Sequence, residues 1–133
     1  MHSSLITHHS ALVLFAHGAR DPEWAEPFRA IAARVAADRK DLTVTLAFLE
    51  LQTPSLADAI AGLAAAGHTT IHIAPLFMAQ GGHLKKDVPI LLAEIGRQQP
   101  ALTITLLPAI GDVPGLRDAI AGWVVCTVPG APA

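Results

Sequence analysis

The run Ala-Leu-Val-Leu-Phe-Ala at residues 11–16 restricts the possible folds of this chain more than any other feature. It has no polar residues at alternating positions, which is typical of a strand that is buried on both faces. Three further apolar, partly β-branched runs follow at residues 43–49, 70–74 and 102–107. Because a strand is covered on both faces when helices lie on each side of a parallel sheet, the first run predicts a central strand of such a sheet.

Segments with helical periodicity separate and follow these runs. The first helix is predicted to span about residues 22–38, with Asp21 as its N-cap and a proline at its first position. Thr53 and Pro54 repeat the same cap-then-proline signal ahead of the second helix, which we expect to end at Gly67.

The third and fourth helices are predicted from apolar spacing as well. The third runs from about Lys85 to Arg97 and stops before Pro100, because a proline disfavours helical backbone in the residue before it. The first and last helices are indicated by apolar residues that recur at helical spacing, which are Trp24, Phe28, Ile31, Val35, Leu116, Ile120 and Trp123. The residues that we expect the second and third helices to bury are Leu56, Ile60, Leu63, Val88, Leu91, Leu92 and Ile95.

The alternation of strands and helices predicts an α/β fold, a four-stranded parallel sheet with helices on both faces and right-handed crossovers. In the flavodoxin-like order, the first strand lies between the second and third, and ligands bind where the winding reverses, at the carboxyl ends of the strands. We expect one domain over residues 11–127, a mobile lead at 1–10 and a loose tail at 128–133.

The amino-acid composition is more apolar than is usual for a globular protein. Hydrophobic residues make up 52% and charged residues 15% of the chain. We therefore expect a sheet buried on both faces, together with apolar surface that is kept for a partner. The net charge of -2 leaves no basic stripe that could neutralise a run of phosphates, so we predict no nucleic-acid partner.

The single cysteine, Cys126, excludes an internal disulfide framework and fits a reducing compartment. We expect its side chain to be buried as a small apolar residue of the last helix. Residues 1–10 lack the basic and long apolar regions of a signal peptide, and no apolar run reaches membrane-spanning length. We therefore predict a cytoplasmic protein without a membrane partner.

Three candidate metal ligands follow successive strands, each about one βα unit after the last: His17, Glu50 and His83. Because neighbouring strands lie roughly 5 Å apart, the three side chains can converge at one edge of the sheet. Two imidazoles and a carboxylate suit a divalent first-row metal with coordination positions left open. Taken singly, each residue could instead end a strand or cap a helix.

The stretch from Pro75 to Pro89 is predicted to form the ligand side of this site. Its two glycines let the backbone turn and approach a ligand closely, and two lysines stand beside His83. A flat, apolar, negatively charged ligand suits this combination, although the lysines could also belong to an ordinary solvated helix face. The residues that we assign to substrate binding are Arg20, Phe77, Met78, Gly81, Gly82, Lys85 and Lys86.

The remaining histidines are weaker candidates. His72 lies inside the third strand, where a hydrogen-bonded structural role is expected. His68 follows a helix-ending glycine and is predicted to be a solvated loop residue. His2, His8 and His9 belong to the expected mobile lead, which has no fixed geometry for a metal.

Three motifs follow one another along the chain: His17-Gly18-Ala19-Arg20-Asp21, then Ala47-Phe48-Leu49-Glu50-Leu51, then Pro75-Leu76-Phe77-Met78 with Gly82-His83 and Asp87-Val88-Pro89. Their order and intervals resemble the small, single-domain sirohydrochlorin cobaltochelatases of the class II chelatase family, over about residues 11–125. Two departures are visible, since Ala19 stands where serine is usual and Met78 where an aliphatic residue is usual. Neither removes a candidate ligand.

This resemblance implies ATP-independent insertion of cobalt, or in relatives nickel or iron, into sirohydrochlorin. His17 and His83 match the family's metal-binding and catalytic histidines, and Glu50 matches an assisting carboxylate. The metal is then a substrate, and no permanently bound cofactor is expected. Because longer family members contain two such domains facing one another, the resemblance also implies a homodimer. A carrier of metal or tetrapyrrole, and an interaction module that needs no metal, remain alternatives.

Overall fold

The structure is a computed structural model and describes residues 10–130 of the chain. Four parallel strands form one sheet: β1 (Ser10–Ala16), β2 (Thr43–Phe48), β3 (Thr70–Pro75) and β4 (Thr103–Leu106). Their order is β2-β1-β3-β4, which confirms the predicted flavodoxin-like arrangement. Most of the predicted lead and the end of the predicted tail lie outside the described residues.

β1 is the central strand that its apolar run predicts. It pairs with β2 on one side, where Val13 is in register with Thr45, and with β3 on the other, where Val13 is in register with Ile73. Its residues from Val13 to Ala16 are all buried, as both faces of a central strand in an α/β sheet must be. β4 lies at an edge of the sheet and is correspondingly short and more exposed.

Four α-helices connect and follow the strands: α1 (Glu26–Asp38), α2 (Leu56–Ala65), α3 (Gly82–Gln98) and α4 (Pro114–Thr127). Within residues 10–130, none of these helices is long and apolar enough to span a membrane. Short 3-10 helices at Pro22–Ala25 and Ile110–Asp112 precede α1 and α4.

The first helical segment begins where it was predicted but in a different geometry. Asp21 caps it, accepting a hydrogen bond from the Glu23 N–H at 2.9 Å, and Pro22 follows at its first position. The first turn is a 3-10 turn because Pro27 has no N–H to donate to the Glu23 carbonyl, which accepts from Glu26 instead.

The predicted beginnings of two helices were wrong. α2 is capped by Ser55 rather than Thr53, because the Ser55 hydroxyl accepts a hydrogen bond from the Asp58 N–H at 3.1 Å. α3 begins at Gly82, three residues before the predicted Lys85, so His83 belongs to the first turn of this helix. The end of α2 was predicted correctly, since Gly67 adopts a φ of 99° just beyond it.

The two faces of the sheet are covered unequally. One face, under α2 and α3, holds the main core, in which apolar residues of both helices pack against β1 and β3. The other face holds a small cluster of Ala16, Ala25 and Phe48, with Trp24 and Phe28 packed against it. α1 and α4 contain no buried residue, and the apolar residues that mark their helical spacing, among them Ile31 and Trp123, are exposed. Leu91 of α3, which was predicted to be buried, is exposed as well, so that prediction was wrong.

Two single-residue predictions were wrong as well. Cys126 is exposed, because the helix that carries it is exposed along its whole length. His68 is buried at 8% exposure rather than solvated, and its Nδ1 has no hydrogen-bond partner in the described residues. The turn after α2 holds His68 close to the helix, since the His68 N–H donates a hydrogen bond to the Leu63 carbonyl.

Candidate functional site

His17 and Glu50 lie side by side just beyond the ends of β1 and β2. The pairing of these strands continues past their formal ends, because the Leu49 N–H donates to the Ala16 carbonyl at 2.9 Å and the Glu50 N–H donates to the His17 carbonyl at 3.1 Å. Both side chains are exposed at the carboxyl edge of the sheet. The sheet ladder therefore fixes their backbones relative to each other, as the sequence predicted for adjacent strand ends.

Gly18 makes this close approach possible. Its φ is 90°, a conformation that other residues rarely adopt, and a Cβ built at this position would stand 1.9 Å from the Glu50 carbonyl oxygen. Any larger residue would have to push the two strand-end loops apart. The glycine after His17 thus holds the candidate histidine against the loop that carries the candidate carboxylate.

A second link between these loops involves Gln52, a residue that none of the sequence motifs identifies as part of the site. Its Oε1 accepts a hydrogen bond from the Ala19 N–H at 3.2 Å. The two residues are distant in the sequence, and nothing in the local pattern around Gln52 indicates this contact. The loop after β1 is therefore tied to the loop after β2 through a side chain as well as through backbone.

The imidazole of His17 packs against the ring of Phe77, with ring centroids 4.4 Å apart and an interplanar angle of 55°. Phe77 is buried and in turn makes an edge contact with Phe15, at 5.3 Å between centroids. One side of the His17 ring therefore has an apolar wall that belongs to the core, and the exposed remainder of the side chain is available to a ligand.

His83 lies near Phe15, the second of these aromatic residues, because both line one cavity. It is exposed in the first turn of α3 and borders a cavity of about 450 Å³. Phe15 and Phe48 line the floor of this cavity, and Asp87 borders it one helical turn after His83. Asp87 belongs to the third sequence motif, but the motif did not identify it as a residue of the site.

The three candidate ligands share one edge of the sheet without forming a ready three-ligand centre. In residues 10–130 no group of three or more His, Cys, Asp or Glu side chains is close enough to hold one metal ion. His17 and His83 are linked only through two aromatic residues: Phe77 contacts His17 and Phe15, and Phe15 lines the cavity that His83 borders. The ligand set of His17, Glu50 and His83 therefore stays a prediction.

The predicted substrate-binding residues surround the same edge. Arg20, Lys85 and Lys86 are exposed, and among residues 10–130 none of these three has an ion-pair partner. Met78 is also exposed, whereas Phe77 is buried and reaches the site only through its contact with His17. These cations are free to bind an anionic group.

Gly81 and Gly82 form the N-cap and the first residue of α3. No side chain caps this helix, and a Cβ at either glycine would meet nothing within 4 Å. The chain's own packing therefore does not require glycine here, and open space lies in front of the helix. The unpaired N–H groups of a helix N-terminus favour negative charge, so this end of α3 suits a carboxylate.

The chain is similar to known proteins over most of its length. A sequence model of the CbiX family matches residues 11–124. The chain is 35% identical over 88 residues to the sirohydrochlorin cobaltochelatase of Methanosarcina acetivorans, a match that covers 66% of this chain and 68% of that protein. A sirohydrochlorin cobaltochelatase of Saccharolobus islandicus is 34% identical over 88 residues, covering 66% of this chain and 67% of the relative.

Solved structures share the fold. A CbiX protein of cobalamin (vitamin B12) biosynthesis from Marinobacter aquaeolei VT8 superimposes with a TM-score of 0.75 at 32% identity, over 87% of this chain and 94% of the other. SirB from Bacillus subtilis with Fe³⁺ superimposes with a TM-score of 0.72 at 23% identity, over 90% of this chain but 48% of SirB. At that identity the likeness to SirB concerns the fold alone.

Proposed function

The chain belongs to the CbiX family, and on this basis we propose that it is a sirohydrochlorin chelatase that inserts a divalent metal, with cobalt as the principal candidate, without ATP. The observation that carries the proposal is the placement of His17, Glu50 and the His83 cavity at one edge of the sheet, around the Phe15 and Phe77 rings. The names of the relatives in Methanosarcina acetivorans and Saccharolobus islandicus support sirohydrochlorin and cobalt as substrates. Iron or nickel insertion is the alternative within the same class.

The reaction replaces two pyrrole protons of the free-base ring with one divalent ion. The ion must lose part of its water, lie close to the ring and enter it as the two protons leave. Neutral imidazoles can hold a divalent ion and also accept protons near neutral pH. We assign His17 and His83 to holding the ion and accepting the protons, and Glu50 to orienting a ligand or accepting the second proton.

The ring needs an apolar surface and its carboxylates need cations. The exposed Met78 side chain and the walls of the cavity beside His83 supply apolar surface. Arg20, Lys85 and Lys86, together with the N–H groups at Gly81 and Gly82, supply positive charge around it. This local charge is needed because the chain as a whole has a net charge of -2.

The experiment that tests the function follows the absorbance of sirohydrochlorin anaerobically with Co²⁺, Ni²⁺ and Fe²⁺, with and without the protein. Faster insertion in the presence of the protein is expected, and the ion with the largest acceleration identifies the metal. A protein that binds the ring or the ion but leaves the rate unchanged with all three would be a carrier, and the chelatase proposal would be wrong.

Reversing the charges of Lys85 and Lys86 together, as Lys85→Glu with Lys86→Glu, is expected to raise the apparent KM for sirohydrochlorin by about tenfold, while kcat changes little. The reason is that two cations that attract the ring carboxylates become two anions that repel them. Steady-state kinetics at fixed Co²⁺ measures this effect.

The charge control is Lys40→Glu with Arg97→Glu, which makes the same change in net charge and also removes the exposed ion pair between Arg97 and Glu94. Lys40 precedes β2 and Arg97 precedes β4, so both lie near the amino edge of the sheet, away from the site. A general charge effect would raise the KM of both double variants. An unchanged KM in the Lys85 and Lys86 variant would show that these lysines do not bind the substrate and belong to an ordinary solvated helix face.

We also propose that the chain acts as a homodimer in the cytoplasm. The apolar composition and the unequal covering of the two sheet faces support self-association. The single cysteine supports a reducing compartment.

A further inference from the structure

Gln52 belongs to the short loop that joins β2 to α2 and carries Glu50. The base of this loop is closed where the Phe48 N–H donates to the Pro54 carbonyl at 2.9 Å. On its other side the loop faces the loop after β1, where the half-buried Gln52 side chain accepts the Ala19 N–H through Oε1 at 3.2 Å. The loop that carries Glu50 is therefore fixed to its own strand at the base and to the neighbouring loop through Gln52.

The backbone between Glu50 and Gln52 has an unusual conformation. Leu51 has a φ of 66°, in the left-handed region that residues with a side chain rarely adopt. The Gln52 N–H donates to the Glu50 carbonyl at 2.8 Å, so the three residues form a tight hydrogen-bonded turn. A three-residue turn with a positive φ at its centre is rare and strained, and it persists only where surrounding contacts hold it. Burial of Leu51 does not supply those contacts, because its side chain is 57% exposed.

Contacts with the loop after β1 hold this strained turn in place. The Glu50 N–H donates to the His17 carbonyl at 3.1 Å, and the Glu50 carbonyl oxygen lies where a Cβ on Gly18 would come within 1.9 Å of it. The hydrogen bond from the Ala19 N–H to Gln52 adds a contact that a side chain makes. Replacing Gln52 therefore removes one support of the turn and leaves the backbone contacts to carry the strain alone.

The position of Glu50 relative to His17 matters for metal insertion, because a displacement of about 1 Å at a reacting group can lower a rate by on the order of 10²-fold. Relaxation of the strained turn would displace the Glu50 backbone and its carboxylate with it. Arg20 is less sensitive, although it follows Ala19, because its long exposed side chain can still reach a ring carboxylate after a small shift of the backbone. Loss of the bridge should therefore affect the insertion step more than the binding of the ring.

We propose that Gln52 is a positioning residue for metal insertion, whose side-chain amide holds the loop after β1 against the strained turn and so fixes the Glu50 carboxylate relative to the His17 imidazole. Gln52 acts through Glu50 and does not itself hold the ion. This role rests on the proposed chelatase function, which gives the Glu50 carboxylate its task. Groups that orient the residues at a metal site contribute about 10–100-fold to affinity or activity, which sets the size of the expected effect.

The first test measures cobalt insertion by Gln52→Met, which removes the acceptor and keeps a side chain of similar length. We expect kcat to fall by about tenfold while the KM for sirohydrochlorin changes by less than about twofold, as for an interaction that serves the chemical step. Gln98→Met is the matched control, because the Gln98 amide donates to the Glu94 carboxylate at 3.3 Å near the far end of α3. Its kcat and KM should equal those of the wild type. A folded Gln52→Met protein with the wild-type kcat would overturn the proposal.

A double-mutant cycle separates action through Glu50 from a general structural effect. Gln52→Met is repeated in a Glu50→Gln background, in which the carboxylate to be positioned is absent. If Gln52 acts through Glu50, the second substitution should lower kcat by less than about twofold in this background, because the two effects are not additive. The same tenfold loss in both backgrounds would show that Gln52 acts elsewhere and would overturn its assignment as a positioning residue for Glu50.

Amide hydrogen exchange measured by NMR tests the same link without any turnover. Gln52→Met is expected to speed exchange of the Ala19 and Glu50 N–H groups by about tenfold, because both lose support when the loops separate. Gln52→Glu keeps an acceptor oxygen and should restore the protection of Ala19.

This measurement distinguishes failure of the positioning role from failure of the chelatase proposal. A wild type that does not accelerate insertion would overturn the chelatase proposal, whereas the exchange rate of the Glu50 N–H would still decide whether Gln52 holds the turn. Unchanged exchange of this group in Gln52→Met would overturn that hold whatever the activity. If Gln52→Met fails to fold by circular dichroism, Gln52→Asn, whose amide is one methylene shorter, replaces it with the same expectations.

Discussion

His83→Ala is expected to lower the rate of cobalt insertion by on the order of 10²-fold or more, the usual contribution of a proton-transferring side chain that also holds the reacting group. The side chain is exposed in the first turn of α3 and has no hydrogen bond to another described residue, so its loss should leave the free energy of unfolding nearly unchanged. Single-turnover absorbance measurements at saturating Co²⁺ would separate the insertion step from binding of the ring. Parallel titration with Co²⁺ alone, in the absence of the ring, would show whether the imidazole also holds the ion.

His72→Gln is the matched control for this experiment. His72 lies inside β3, in register with Leu12 and Thr105, and is not part of the candidate site. A comparable loss of rate in both variants would point to a general effect of histidine replacement. Unchanged turnover in His83→Ala would remove this residue from the mechanism.

Gly111→Ala is expected to lower the free energy of unfolding by about 3 kcal/mol or more, at the upper end of what overpacking costs. Gly111 is buried, and a Cβ built on it would stand 1.5 Å from the Met78 carbonyl oxygen and 2.8 Å from the Met78 Cα. These are backbone atoms, so they cannot rotate away as a flexible side chain would. The loop that carries Phe77 would have to move, and insertion activity should fall with it.

Gly122→Ala gives the control for Gly111→Ala. Gly122 lies within α4, and a Cβ there would meet nothing within 4 Å. Because alanine is favoured over glycine in a helix, the free energy of unfolding of this variant should be higher than that of the wild type by about 0.5–1 kcal/mol. Denaturant unfolding of both variants measures the difference, and a Gly111→Ala midpoint equal to that of the wild type would show that the loop tolerates displacement.

The sheet order could be predicted because its determinants are local to each strand. An apolar run without alternation, such as that of β1, needs cover on both faces, and the βα alternation with right-handed crossovers then leaves few arrangements. The placement of His17 and Glu50 followed in the same way, since parallel neighbouring strands end at the same edge. The sheet order and the placement of these two residues could therefore be inferred from the residues of each strand and from the order of strands and helices along the chain.

Other features depend on contacts that single elements do not encode. Helical periodicity shows that Ile31 and Trp123 share apolar faces with their neighbours, but not whether this chain or another molecule covers those faces. The Gln52 contact with Ala19 joins two loops that are distant in sequence. The choice between Thr53 and Ser55 as the cap of α2 depended on which hydroxyl reaches the N–H of the third helical residue.

The two sides of the candidate site differ in mechanical stiffness. His17 and Glu50 are held by sheet hydrogen bonds, by the Gly18 contact and by the Gln52 bridge, so displacing either loop disturbs the ladder between β1 and β2. His83 instead stands on a helix turn that begins at two glycines, with no side-chain cap and with open space around both of them. Fraying of that turn costs little free energy compared with opening the sheet. The fold thus pairs a side of the site that the sheet holds in place with a side that depends on one helix turn, and we expect the turn that carries His83 to be the more mobile of the two.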